Sequence, residues 1–208
     1  MTPRLGALLL LLACTGCDRL WYQAPRRIYA PWEEGLTLSY EDPSLPAAQR
    51  LAQRQQVRVK ESRPVLGGLA ITKTYTTLAG QWEGKVLEQE GGVQIQTGFG
   101  SIQLLPEGFP DRVGRWVARG TFNRVVGRAV ADLPGVLLPD PARAVGVWVE
   151  TTPLDRPGQR IRTFYLPDIG EAQTLTWRDG RWVTINLLVA RGFTDVPRAG
   201  GKTPGSPP

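Results

Sequence analysis

The sequence has no histidine among its 208 residues. Histidine is the commonest general base and metal ligand near neutral pH, so its absence removes imidazole-dependent triads and the usual metal sites. The two cysteines, Cys14 and Cys17, both lie near the amino terminus, so the rest of the chain has neither a disulfide nor a thiolate nucleophile. We therefore expect a protein that is not an enzyme, with no catalytic residue, no metal site and no cofactor.

Other patterns that support chemistry are also missing. The segment Gly80–Val86 superficially resembles a phosphate-binding loop because it contains two glycines and a lysine. The spacing fails, since Ala79 occupies the place of the first glycine and Val86 that of the metal-binding hydroxyl. The adjacent carboxylates Glu33–Glu34 and Glu41–Asp42 would point to opposite faces of a strand and cannot easily share an ion. Both observations favour a non-enzymatic protein.

A hydrophobic run long enough to cross a bilayer is lacking as well, since about twenty apolar residues are needed. The run Leu5–Ala13 is shorter, and it follows Arg4 and precedes small residues around the two cysteines. This order of charge, apolar run and small residues is typical of an export signal.

The stretches Leu11-Leu12-Ala13-Cys14 and Cys14-Thr15-Gly16-Cys17 both resemble the lipobox of bacterial lipoproteins, in which small or aliphatic residues precede the cysteine that receives lipid. The resemblance implies a signal peptide over residues 1–16 and lipid on Cys17. Cys14 is the alternative site, because the residues before it fit the aliphatic pattern better. A lipidated protein of this kind lies in the cell envelope, anchored to a membrane outside the cytoplasm, on the periplasmic side.

Acidic residues are fewer than basic residues, 19 against 25, and only four of the basic residues are lysines. The densest basic cluster is a candidate anion-binding surface for phosphate, lipid headgroups or acidic polysaccharide. The cluster comprises Arg112, Arg115, Arg119, Arg124 and Arg128. The alternative is a solvated face without a ligand. No nucleic-acid motif accompanies the cluster, so we expect no nucleic-acid partner.

What the sequence has in abundance is alternation of apolar and polar residues, which is typical of half-buried strands. Leu36, Leu38 and Tyr40 alternate with polar residues in this way. The same pattern predicts strands at 57–60, 69–78, 82–88, 93–99, 102–104, 145–151 and 160–166. The dipeptide Asp179-Gly180 predicts a type I′ hairpin with Trp177 opposite Trp182.

Two segments favour helices. Ser44–Gln55 places Leu45, Ala48, Leu51 and Ala52 along one side of a helix, and the apolar residues of 122–133 recur at spacings of three and four. The predicted fold class is mainly β: a single curved antiparallel sheet, forming a half-barrel or a barrel, with one or two short helices.

The chain divides into four predicted parts. Residues 1–16 form the signal peptide, 17–33 a membrane-proximal tether, 34–194 a β-rich globular domain and 195–208 a disordered tail rich in glycine and proline. Within the globular domain, Thr163–Glu171 and the tryptophan hairpin after it resemble a segment of uncharacterised bacterial envelope proteins. That resemblance implies an antiparallel sheet and no activity.

Two functions suit a lipid-anchored β protein without catalytic residues. The first is envelope assembly or protein interaction, with the membrane and an envelope protein or lipid as partners. The alternative is a half-barrel carrier that binds lipid or another apolar ligand in a pocket lined by Leu69, Ile71, Tyr75 and Trp82. A carrier needs an open cavity of several hundred Å³, whereas an interaction module fills that space with its own side chains.

Overall fold

The computed structural model describes residues 27–90, 92–98, 100–136, 138 and 144–194. The predicted signal peptide, both cysteines and the predicted tail lie outside the described residues. Twelve strands are described, β1 Leu36–Glu41, β2 Gln55–Val65, β3 Gly68–Thr77, β4 Gly80–Gln89, β5 Gly92–Thr97, β6 Gly100–Leu105, β7 Arg115–Ala118, β8 Thr121–Val130, β9 Val145–Pro153, β10 Ile161–Leu166, β11 Gly170–Arg178 and β12 Arg181–Phe193. One described helix, α1 Ala47–Ala52, joins β1 to β2.

The strands form one sheet in the order β6-β5-β4-β3-β2-β1-β12-β11-β10-β9-β8-β7, with antiparallel neighbours throughout. All neighbours except β1 and β12 are consecutive in the chain, so two meanders of six strands meet along the β1–β12 ladder. Leu36 pairs with Phe193 in that ladder. The sheet curls until β6 and β7 approach each other, which makes it nearly closed and barrel-like. The predicted mainly β fold is confirmed.

The alternation in the sequence explains where the core lies. Leu36, Leu38 and Tyr40 of β1 are all buried, and so are Val147 and Val149 of β9. Full burial of each such aliphatic side chain contributes about 2 kcal/mol relative to exposure. The core therefore lines the concave side of the curled sheet, where side chains of both meanders meet.

The folded body begins before residue 34, the predicted start of the globular domain. Tyr29 and Ala30 are buried, and the Trp32 indole donates a hydrogen bond from Nε1 to Oδ1 of Asp168 at 2.9 Å. Asp168 has a left-handed backbone with φ of 62°, and its amide donates to the carbonyl of Ile28 at 2.6 Å. The segment 28–32 therefore packs against the turn between β10 and β11 as part of the core.

The predicted hairpin between β11 and β12 is present with the expected register, Trp177 opposite Trp182. Asp179 and Gly180 have φ of 51° and 77°, the positive values that a type I′ turn requires. The two indoles meet edge to face at 5.1 Å between ring centres. Each also has a guanidinium over its face, that of Arg160 at 4.5 Å from Trp177 and that of Arg162 at 4.3 Å from Trp182.

Replacement of Trp182 by alanine is expected to lower the free energy of unfolding by about 2 kcal/mol, because it removes the aromatic pair and the guanidinium that stacks on it. Urea denaturation followed by circular dichroism measures this change. Leu78→Ala is the matched control: that side chain is 77% exposed, so its loss should change the value by less than about 0.5 kcal/mol. Equal values for the two variants would contradict the expectation.

The helix predictions require two corrections. Helix α1 lies within the predicted segment 44–55, but none of its residues is buried and Leu51 is 65% exposed, so its apolar side faces solvent. The helix predicted over 122–133 is wrong, because Thr121–Val130 is strand β8. The pairing of β8 with β9 shifts between Val125 and Gly127, and the extra residue breaks the period of two, which explains the helix-like spacing.

Within the described ranges, no helix combines the length and apolar character needed to cross a membrane.

Candidate ligand cavity inside the sheet

A cavity of about 390 Å³ lies inside the curled sheet and opens partly to solvent. Its walls come from β1 to β6 on one side and from β10 to β12 on the other, because the curvature brings the two meanders face to face. Tyr29, Ala30 and Pro31 of the amino-terminal segment complete the wall. The cavity therefore depends on both meanders and on the segment before β1.

One part of the wall is apolar and continuous across β4, β5 and β6. Val86 pairs with Ile95 across β4 and β5, and Val93 pairs with Leu105 across β5 and β6. Leu104 and these four residues all line the cavity. Paired residues of neighbouring strands point to the same face, so the strip presents hydrocarbon to any occupant.

Lys73 of β3 is the cationic side chain of the cavity wall, and it is only 7% exposed. No described residue accepts a hydrogen bond from its ammonium group, and no described carboxylate lies within ion-pair distance of it. Burial lowers the pKa of Lys73 to about 8, against an opposing attraction from the Glu171 carboxylate. The ammonium is thus largely charged at neutral pH inside a mostly apolar space, an arrangement that is costly without a partner.

Glu171 of β11 is the acidic side chain of the wall, and hydrogen bonds hold it in place. Its Oε1 accepts from Oγ1 of Thr174 at 2.5 Å and from Nδ2 of Asn186 at 3.2 Å. Its backbone carbonyl accepts from the hydroxyl of Tyr40 at 2.8 Å. Glu171 therefore acts on Lys73 through space while its hydrogen bonds go to other groups.

Four tyrosines line the cavity, Tyr29, Tyr40, Tyr75 and Tyr165, and burial raises the pKa of each, so all four remain protonated over the physiological range. For Tyr40, Tyr75 and Tyr165 the negative charge of Glu171 raises the pKa further. Tyrosine rings combine apolar faces with a hydroxyl, so they suit a cavity that holds both hydrocarbon and a polar group.

Tyr75 connects the cavity to the surface. Its ring stacks on Trp82 with centres 5.8 Å apart, and Trp82 is 49% exposed. The ring lies across Gly84, where an added Cβ would come within 2.9 Å of Cε2 of Tyr75. Gly84 therefore leaves the space that the Tyr75 ring occupies.

The four residues predicted for an apolar pocket have different surroundings. Tyr75 lines the cavity, whereas Ile71 is buried in the core beside it and Leu69 packs against that core half-buried. Trp82 lies at the outer end of the aromatic stack. Lys73 was not among the residues predicted for the pocket. It lies two residues from both Ile71 and Tyr75, so the same alternation places it on the inner face with them.

The predicted basic cluster does not form one uniformly free surface. Arg124 bonds to Glu150 at 2.6 Å and Arg128 pairs with Asp111, so carboxylates neutralise two of the five. Arg115 of β7 lies opposite Arg124 of β8 in the strand register, and Arg119 lies in the exposed turn after β7. Arg112 is exposed in the loop before β7.

Glu150 is a buried carboxylate, with its side chain 3% exposed, and it forms ion pairs with two arginines. Besides Arg124, it accepts a hydrogen bond from Nε of Arg162 at 2.9 Å. Burial alone would raise the pKa of Glu150, but the hydrogen bonds and charges of Arg124 and Arg162 outweigh it and hold the pKa below the usual value. Glu150 has no local signal in the sequence, because its two partners come from different strands.

No metal site is found among the described residues, where no three carboxylates come together. The adjacent acids considered in the sequence have separate partners: Glu33 pairs with Arg191 at 3.1 Å, Glu34 accepts from the amide of Ser62 at 2.9 Å, and Glu41 pairs with Arg54.

The fold and cavity define a class of protein: a nearly closed antiparallel sheet around a cavity with one buried cation. Comparison with protein-family models finds no match, and comparison with curated proteins finds none either. A solved structure from Bacteroides fragilis, provisionally described as an exported protein with a YmcC-like fold, aligns with a TM-score of 0.52 at 12% identity, over 80% of this chain and 99% of that chain. This likeness shows the fold. A structure from Parabacteroides distasonis, provisionally described as a lipoprotein, aligns with a TM-score of 0.46 at 11% identity, over 80% of this chain and 99% of that chain.

Proposed function

We propose that the protein is a non-enzymatic, lipid-anchored envelope protein that binds an apolar ligand inside its curled sheet. The observation that supports this function is the cavity of about 390 Å³ with its continuous apolar wall. An engineered apolar cavity of about 150 Å³ is enough to bind benzene, so this space suits a considerably larger molecule. A module that acts only through its outer surface would have no need of such a space.

The envelope location rests on separate support. The lipobox-like residues before Cys17 favour lipidation, and the Bacteroides protein that shares the fold is described as exported. An export signal and a ligand cavity together suit a protein that holds a poorly soluble molecule at or near a membrane.

A non-enzymatic role fits the chemistry of the wall. Histidine and cysteine are absent from the cavity, and Glu171 is the carboxylate among its lining residues. A carboxylate-dependent hydrolase of the common kind would need two acids facing one another across the reacting bond.

Fluorescence titration with the neutral probe N-phenyl-1-naphthylamine tests ligand binding. To avoid detergent, which would compete for the cavity, the full chain is purified with Cys14 and Cys17 both replaced by serine. We expect saturable binding of one probe per chain. Val57 lines the cavity, so Val57→Trp should fill part of it and weaken probe binding at least tenfold.

Val126→Trp is the matched control, because Val126 is 37% exposed in the bulge of β8, away from the cavity. Its probe affinity should equal that of the parent chain. If Val57→Trp does not fold, Ile95→Phe takes its place. Absence of saturable binding by the folded parent chain, or equal binding by the two tryptophan variants, would overturn the proposed ligand function.

Lipid anchoring is tested by fractionation of cells that express the otherwise unaltered chain. We expect Cys17→Ser to shift the protein from the membrane to the soluble fraction and Cys14→Ser to leave it with the membrane. Membrane association that survives replacement of both cysteines would contradict the anchor.

A further inference from the structure

We propose that the ligand is a single-chain amphiphile with one negative charge, a fatty carboxylate, whose headgroup binds the Lys73 ammonium while its chain lies along the apolar wall of β4 to β6. The inference rests on the proposed ligand function and identifies the class of ligand. Lys73 and the apolar wall belong to the same cavity, so one molecule can contact both.

Lys73 has no polar partner among the described residues. The side chain is more than nine-tenths buried, and within the described part of the chain its ammonium has no hydrogen bond or ion pair. Buried charges in proteins are nearly always paired, because an unpaired one loses its hydration without compensation. A carboxylate in the cavity would supply the missing hydrogen-bond acceptor and the opposite charge.

The charges of the cavity wall favour a ligand with one negative charge. Lys73 contributes one positive charge and Glu171 one negative charge, and hydrogen bonds from Thr174 and Asn186 hold the Glu171 carboxylate. A neutral ligand would leave Lys73 unpaired, and a dianion would place excess negative charge beside Glu171. A monoanion pairs with Lys73 and leaves the wall otherwise unchanged.

The volume of the cavity favours a ligand with a single chain. Scaling from benzene in a cavity of about 150 Å³, the present cavity accommodates roughly 15 non-hydrogen atoms. Dodecanoate is close to this size. A two-chain phospholipid is much larger, so a single chain with a compact headgroup matches the enclosed volume.

Competition against the neutral probe tests this assignment at pH 7. We expect dodecanoate to displace the probe at a concentration at least tenfold lower than dodecanol, which has the same chain without the charge. In Lys73→Met the concentrations of the two ligands that displace the probe should differ by less than twofold. Lys60→Met is the control, because Lys60 pairs with Glu83 on the exposed surface and its variant should keep the tenfold preference.

The preference for dodecanoate should also fall as the pH rises through 8, since the ammonium is then lost. The charged and titratable groups that share the cavity with Lys73 are Glu171, Tyr29, Tyr40, Tyr75 and Tyr165, and the tyrosines stay neutral in this range because burial raises the pKa of each. Lys73→Met should show no such fall.

Several outcomes would overturn the assignment. Equal displacement by dodecanoate and dodecanol in the parent chain would remove the role of charge, and a preference that survives in Lys73→Met would remove the role of Lys73. Tighter binding of dodecyltrimethylammonium would assign the headgroup to Glu171, and tighter binding of dodecanoyl lysophosphatidylglycerol would replace the carboxylate by a phosphodiester. Failure of the probe to bind the parent chain would instead overturn the proposed function itself.

Discussion

Replacement of Lys73 by methionine is expected to raise the free energy of unfolding at pH 7 by on the order of 3 kcal/mol. Burial lowers the pKa of Lys73 from 10.5 to about 8, so the folded state holds the proton less tightly than the unfolded state. At pH 7 both states are charged, and the folded state bears the full cost of the buried ammonium. Methionine has a similar shape without charge and removes that cost.

The pH dependence gives this prediction a second readout. Between pH 8 and 10.5 the folded parent chain releases the proton while the unfolded chain retains it, so the parent becomes more stable relative to Lys73→Met as the pH rises. Urea denaturation of both chains at pH 7 and pH 9.5 measures the narrowing of the difference. Lys60→Met, at an exposed ion pair, should change the stability by less than about 1 kcal/mol at either pH.

A bound fatty carboxylate should also reduce the difference in unfolding free energy between the parent chain and Lys73→Met. A bound carboxylate stabilises the charged lysine in the folded parent chain, but it gains no such contact in the methionine variant. An unligated Lys73→Met that is no more stable than the parent chain at pH 7 would contradict the view that the buried ammonium lacks a partner.

Replacement of both Arg124 and Arg162 by methionine is expected to cost about 3–5 kcal/mol at pH 7, because it leaves the buried Glu150 carboxylate without either cation. Removal of one arginine should cost less, since the other still bonds to the carboxylate. Further replacement of Glu150 by glutamine should recover most of the loss. Arg156→Met is the control, because Arg156 and Asp155 form an exposed pair.

Acidification should change the stability of the parent chain and of the double arginine variant in opposite directions. In the parent, the arginines hold the pKa of Glu150 below its usual value of 4.5, so their contribution is present above that pH and is lost as the pH falls through the folded-state pKa. Without the arginines, burial raises the pKa of the carboxyl, and acid then relieves the cost instead. A double variant that loses stability on acidification as steeply as the parent would contradict this account.

Local sequence signals predicted those parts of the fold that neighbouring residues decide. The alternation of Leu36, Leu38 and Tyr40 marked a strand, and Asp179-Gly180 fixed the register that sets Trp177 against Trp182. The helix prediction for residues 122–133 was wrong because β8 contains one extra residue. That residue changes the apolar spacing from two to the three or four that is typical of a helix.

The site was less predictable, because it depends on contacts between distant segments. Tyr75 was selected from its strand pattern, but the cavity also requires Glu171 and Asn186, which only the β1–β12 ladder and the curvature bring opposite β3. Lys73 has the same periodicity as Ile71 and Tyr75, yet charged residues are seldom buried, so composition argued against the inner face. The Glu150 network likewise joins residues of β8, β9 and β10.

The ladder between β1 and β12 also has a mechanical consequence. Leu36 and Phe193 lie side by side, and the amide of Thr194 donates to the carbonyl of Gly35 at 3.0 Å. The chain therefore enters β1 and leaves β12 at the same end of the ladder. A force that pulls these two ends apart loads the hydrogen bonds of the ladder one after another, as in unzipping, rather than all together in shear. The two meanders should therefore separate at low force, and the interior would open along this line before either meander unravels.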